Sequence, residues 1–103
     1  MIYYCDVDNT ICTNYDSKYS ESVPMTARIA TMNALFDQGH EVHYWTARGN
    51  STGINWYDFT VEQLKSWDVK YTTFNTNKPS YDVFIDDKAF NDKAFFNDSS
   101  NRS

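Results

Sequence analysis

The sequence predicts an α/β protein built on a small, mostly parallel sheet, and three observations carry that prediction. Short runs of strand-forming residues alternate with a segment of helical period. Three of those runs, Ile2 to Cys5, Glu41 to Trp45 and Val83 to Ile85, each lead directly into a polar or acidic residue. The connections between successive runs are long enough for crossover segments, as parallel neighbours require.

Ile2 to Cys5 is apolar and aromatic without alternation, the pattern of a parallel strand covered on both faces, and it ends at Asp6. The stretch Asn9 to Val23 is polar and lacks a helical period, which predicts a loop or flap over the end of that strand. Pro24 suits the first turn of a helix, and Ile29, Met32, Leu35 and Phe36 recur at three- and four-residue spacing up to Gln38, with Gly39 where a helix commonly stops. Glu41 to Trp45 reads as the second strand and runs into Thr46, followed by a loop from Ala47 to Gly53. Thr60 and Gln63 have the spacing of a capping box, with Val61, Leu64 and Trp67 as one apolar face of a short helix. Val69 to Phe74 is a weaker strand, and Val83 to Ile85 is a fourth, ending in Asp86 and Asp87. In such sheets ligands bind beyond the carboxyl ends of the strands, so the residues there are the candidates for function.

With 103 residues, the chain suffices for one domain that hides roughly 65% of its unfolded surface. The reading is a single domain over 1–96 with a frayed tail over 97–103, where Asn, Ser and Asp dominate. A net charge of −5 with scattered Lys and Arg argues against a general nucleic-acid binder. The absence of a long apolar run argues against a membrane span, and a cytoplasmic location is expected. Cys5 and Cys12 have neither zinc-ligand nor disulfide-framework spacing and read as reduced thiols.

Four strand-end signals appear in one order: Asp6-Val7-Asp8-Asn9-Thr10, Thr46-Ala47-Arg48, Lys78-Pro79 and Asp86-Asp87. Together they resemble the four motifs of the haloacid dehalogenase superfamily of phosphotransferases. Trp45-Thr46-Ala47-Arg48, Lys78-Pro79 and Ile85-Asp86-Asp87-Lys88-Ala89 look closest to small phosphatases of capsule-sugar operons and phage genomes. The resemblance implies a Rossmann-like three-layer sandwich with a four-stranded sheet. It also implies a magnesium-dependent phosphomonoesterase, with manganese or cobalt as substitutes in an oxygen-rich site.

By that resemblance Asp6 is the nucleophile and a metal ligand, and Asp8 binds metal through its backbone carbonyl while its side chain serves as general acid and base. Partial burial and neighbouring carboxylates would raise the Asp8 pKa for that task. Thr46, Ala47 and Lys78 would hold the phosphoryl group, Arg48 would offer it a second contact, and Asp86 and Asp87 would complete the metal site. The chemistry supplies a reason for each type. A phosphate dianion repels a carboxylate nucleophile, so a divalent cation and a lysine are needed to offset charge, and magnesium prefers a few hard oxygen ligands.

Blander readings stand beside these. Asp6 and Asp8 could end a strand in a turn, and Asp86 and Asp87 could cap the segment that follows. His40 and His43 read as surface or packed histidines, and Tyr44, Trp45, Trp56 and Trp67 as core more than ligand platform. The spacings from Thr10 to Thr46 and from Thr46 to Lys78 leave no room for a cap domain. In the family this implies either a large substrate at an open site or a homo-oligomer whose neighbour covers it. A phosphorylated metabolite such as a sugar phosphate is the expected substrate, with a polynucleotide 3′-end as the alternative. A receiver-type phosphoacceptor and a non-catalytic phosphate-binding domain are the readings from other classes. Receivers, however, carry the accepting Asp on a middle strand.

Overall fold

The computed structural model describes residues 1–14, 18–49, 53 and 55–97. Strand β1 (Ile2–Cys5) is followed by a 3₁₀ turn at Tyr19–Glu21, helix α1 (Thr26–Asp37), strand β2 (Glu41–Trp45), helix α2 (Tyr57–Ser66), strand β3 (Thr73–Asn75) and helix α3 (Asp92–Phe96). The strands lie in sequence order β1-β2-β3, all parallel, with Tyr3 opposite Val42, Cys5 opposite Tyr44, and Tyr44 opposite Phe74.

That register explains where the core sits. Side chains alternate across a strand, so Tyr3, Cys5, Val42, Tyr44 and Phe74 share one face of the sheet. There they form one apolar cluster with Ile29 and Met32 of α1, Leu64 of α2, and Val69. The other face carries Ile2, Tyr4, His43, Trp45 and Thr73. Tyr4 stacks on His43 at 4.8 Å and meets the edge of Trp45, but Ile2 and Tyr4 remain 65% and 60% exposed. Among the described residues the arrangement is therefore a sheet with α1 and α2 on one face, two layers where three were expected.

Two sequence expectations need correction. Val83–Ile85 forms no strand and is exposed, as is everything from 81 to 90, so the sheet has three strands among the described residues. A three-residue apolar run has too little of its own to hold it against an edge. The Thr60–Gln63 pair is not a helix start: α2 begins three residues earlier, where the Asn55 Oδ1 accepts from the Tyr57 amide at 2.9 Å, and Thr60 is fully buried inside the helix. Helix α1 begins two residues after Pro24, and Gly39 follows its last turn at φ +94°, a left-handed conformation that glycine adopts without strain. Strand β3 is shifted towards Asn75, while Val69 belongs to the core ahead of it. Helix α3, unforeseen in the sequence, is capped by Asn91, whose Oδ1 accepts from the Lys93 amide, and it ends at Asn97 in the left-handed region. The tail beyond 97 lies outside the described residues.

Tyr44 sits at the centre of the core with 0% exposure, and its hydroxyl finds no hydrogen-bond partner among the described residues. An unpaired buried hydroxyl costs about 1–3 kcal/mol relative to a paired or solvated one. Tyr44→Phe is therefore expected to raise stability by about 1 kcal/mol in a urea titration; a destabilised variant would show that the hydroxyl is satisfied.

Candidate functional site

The carboxyl ends of the strands bring together the first three of the four sequence signals. Asp6 follows the last residue of β1. The loop after it is closed by short-range hydrogen bonds, Asn9 N to Cys12 O at 2.7 Å and Ile11 N to Val7 O at 2.9 Å, with Asn9 itself at φ +62°. The buried side chains of Val7, Ile11 and Cys12 anchor this turn to the core. Asp6 and Asp8, on either side of Val7, are only partly buried.

Asp6 Oδ1 lies 3.3 Å from Lys78 Nζ, and its Oδ2 accepts a long 3.4 Å hydrogen bond from the Thr10 hydroxyl. Burial is the main influence on Asp6 and pushes its pKa above the ordinary carboxylate value, the Asp8 charge acts in the same direction, and Lys78 offsets only part of the effect. For Lys78 the balance is the reverse. Burial works against its charge, but the Asp6 carboxylate and the Tyr81 hydroxyl outweigh it, so its pKa is raised. Both partners of the pair are shifted up because desolvation dominates for the carboxylate and attraction dominates for the amine. The Lys78 ammonium also sits over the rings of Trp45 and Tyr81, at 5.8 and 5.3 Å.

Thr46 connects the pieces through its backbone. Its amide donates to Asn75 O at 3.0 Å and its carbonyl accepts from the Lys78 amide at 3.2 Å, which fixes the chain after β3 beside the chain after β2. The Thr46 Oγ1 accepts from the Arg48 amide at 3.1 Å, leaving its own proton to donate. Ala47 is half-buried between them. Arg48 turns towards Asp8 and grips it with two hydrogen bonds, Nε to Oδ2 at 3.0 Å and Nη2 to Oδ1 at 2.7 Å. Sequence reasoning offered this guanidinium to a phosphate; within the fold its fork faces Asp8.

Asp86 and Asp87 are exposed, and the Asp86 carboxylate accepts from the Lys88 amide at 2.9 Å, the turn-capping role of the blander reading. That hydrogen bond and the neighbouring Asp87 hold the Asp86 pKa below its ordinary value. Among the described residues, no three His, Cys, Asp or Glu side chains gather as a metal-binding group. His43 is packed between Glu41 and Thr73, while His40 meets the N-terminal amine. Cys5 and Cys12 are free and buried, and burial lifts both thiols to about 12. Neither is a nucleophile at neutral pH. Among the described residues, no helix is long and apolar enough to cross a membrane.

Sequence reasoning missed the residues that hold Arg48, namely Tyr19, Thr60 and Gln63. A buried polar pair inside an amphipathic helix leaves no distinctive spacing, and the capping-box pattern pointed elsewhere.

No family model matches the chain, and no curated protein matches it. A solved structure does: the crystal structure of an MCSG target from Vibrio cholerae superposes with a TM-score of 0.81 at 23% identity, over 93% of this chain and 88% of that one. The two chains share a fold. At that identity the likeness extends to the backbone arrangement alone, and the chemistry has to be argued from the side chains described above.

Proposed function

We propose that this protein is a metal-dependent phosphomonoesterase of the haloacid dehalogenase type, acting on a small phosphorylated metabolite through an aspartyl-phosphate on Asp6. The observation that supports it most is the convergence at one sheet end of a carboxylate, Asp6, with an ammonium 3.3 Å away and the Thr46–Lys78 backbone link beside it. A carboxylate at the tip of a parallel sheet with an ammonium beside it is what a charge-screened nucleophile requires.

In the first displacement an Asp6 oxygen attacks phosphorus, the bond from phosphorus to the leaving oxygen breaks, and the departing alkoxide takes a proton from Asp8. In the second, water attacks the same phosphorus, gives its proton to Asp8, and the bond to Asp6 breaks. Asp8 Oδ1 already accepts from Arg48 and from the Cys12 thiol, at 2.7 and 3.6 Å, whereas among the described residues Oδ2 accepts from Arg48 at 3.0 Å. The proton is therefore assigned to the remaining lone pair of Oδ2. Lys78 offsets charge at the nucleophile, and the Thr46 hydroxyl and neighbouring amides donate to the phosphoryl oxygens.

Asp6 and the Asp8 carbonyl, which follow β1, together with Asp86 and Asp87 on an exposed segment, are the oxygen donors that would hold magnesium. When bound, the cation would screen the dianion and hold the reacting groups in line.

A shallow cleft of about 410 Å³ adjoins Arg48, lined also by Asn55, Trp56, Tyr57, Thr76 and Asn77. Amide and hydroxyl groups beside aromatic rings suit a polyhydroxylated leaving group such as a sugar. The test is release of inorganic phosphate from sugar phosphates, nucleotides and 3′-phosphorylated DNA, with magnesium and with a chelator. Turnover on the sugar phosphates that falls at least ~100-fold on chelation and returns with magnesium, manganese or cobalt is expected. A long-lived phosphoprotein without turnover would instead favour a receiver, and silence on the whole panel a binding domain.

A further inference from the structure

Arg48 is the most enclosed charge of the site, with 0% side-chain exposure. Its guanidinium has five N–H groups, and the structure finds an acceptor for each: Nε and Nη2 on the two oxygens of Asp8, Nη1 on Thr60 Oγ1 at 3.1 Å and Gln63 Oε1 at 2.8 Å, and Nη2 again on Cys12 Sγ at 3.9 Å. The flat face of the group lies 4.3 Å from the ring centre of Tyr19, which in turn meets Trp56 edge-on at 4.9 Å. Gln63 closes the circuit, donating from Nε2 to the Tyr19 carbonyl at 2.8 Å while accepting from Arg48.

An arginine whose donors are all engaged inside the protein has none to spare for a phosphate oxygen, and a single contact of that kind would not need this surround. We propose that Arg48 is the positioning residue of the site: it aims Asp8 through a two-point grip and is itself held by Tyr19, Thr60 and Gln63, so the 3₁₀ turn and α2 set the orientation of a carboxylate neither of them touches. The fork is essential to the role, because two parallel hydrogen bonds fix the plane of a carboxylate and a point charge fixes only its distance. The ring of Tyr19 matters and its hydroxyl does not, because the contact is with the face of the ring. The catalytic part of this inference rests on the phosphatase reading above; the structural part does not.

The experiment compares wild type, Arg48→Lys, Tyr19→Phe and Tyr19→Leu, each first shown to be folded by circular dichroism and thermal melting. On the substrate that the wild type turns over best, Arg48→Lys is expected to lower kcat about 10- to 100-fold, the scale of a misplaced catalytic group, with KM within about threefold. Tyr19→Phe should match wild type and Tyr19→Leu should fall in the direction of Arg48→Lys. A raised KM with unchanged kcat in Arg48→Lys would make Arg48 a substrate contact and overturn the proposal, as would wild-type kinetics in that variant. If the wild type hydrolyses nothing, the phosphatase reading fails, and the grip is then judged by hydrogen exchange alone. Arg48→Lys should lose at least ~10-fold protection at the Asn9 and Ile11 amides, whose turn carries Asp8; unaltered protection would overturn the structural claim.

Discussion

Asp6→Asn is expected to abolish phosphate release and, in the same protein, to raise the melting temperature measured without metal. On the proposed mechanism the loss should be on the order of 10⁴-fold or more, the scale on which removing a covalent nucleophile acts, because an amide oxygen would not form the phosphoryl intermediate. The gain in stability follows from the sign of the Asp6 shift. Burial raises its folded-state pKa above the unfolded value, so between the two values the native protein holds a proton that the unfolded chain has released. Stability therefore falls as pH rises through that window and stays reduced above it. Asn resembles the protonated acid in shape and lacks the titration, so the variant should lose this slope and melt a few degrees higher near neutral pH, ~1 kcal/mol corresponding to ~4–8 °C in a domain of this size. Lys78 adds an alkaline limb. Its raised folded pKa supplies stability that is complete below the ordinary lysine value and is lost as pH rises through the folded one. Melting curves of both proteins from pH 4 to 11 in a chelator decide the matter; a variant that melts lower than wild type at pH 7 would mean that the Asp6–Lys78 attraction outweighs the burial of the carboxylate.

Arg28→Ala should be the most damaging change away from the strand ends. Arg28 lies on α1 with only 3% of its surface exposed. It donates to the Thr10 carbonyl at 3.1 Å and to Asp92 Oδ2 at 2.6 Å, with Phe96 4.8 Å from its guanidinium carbon. One side chain thus joins the loop behind Asp6 to helix α3. Removing one partner of a buried pair costs about 3–5 kcal/mol; with Asp92 partly solvated, a loss of about 3 kcal/mol is expected. Chemical denaturation should show it, accompanied by faster exchange across α3. A change below about 0.5 kcal/mol would show that α3 is held by Phe95 and Phe96 alone.

The strands and helices with the strongest periodicity were legible in the sequence. Ile2–Cys5 and Glu41–Trp45 have the boundaries their composition indicated, and α1 covers the segment set out by Ile29, Met32, Leu35 and Phe36, less the residues at each end where caps decide. Val83–Ile85 misled because a three-residue apolar run says nothing about whether an edge is there to receive it. The third layer was implied by the family resemblance and by continuous apolar strands, yet on the second face Tyr4 stacks on His43 and meets the edge of Trp45, with no covering helix among the described residues. Within the candidate site, Asp6 and Thr46 were singled out by their positions after strands and Lys78 by the family resemblance, and the fold brings the three together. The partnership of Arg48 with Asp8 was not, because it joins residues 40 apart through side chains and leaves no trace in local spacing. Arg28 and Arg48 make the same point. A buried arginine looks like any surface arginine until the acceptors around it are known.

The order of the strands in the sheet is also the order in which a ribosome would deliver them. Each strand pairs with the one made just before it, so no crossover has to wait for a strand later in the chain. Once Trp45 has emerged, β1, α1 and β2 can already associate, and Asp6 and Asp8 are brought into place before the lysine that neutralises the first of them has been synthesised. The surroundings of Asp6 are completed late, by the return of the chain after β3. Until Lys78 arrives, the growing protein exposes an acidic tip whose charge repels neighbouring chains at the stage when its apolar sheet face is least covered.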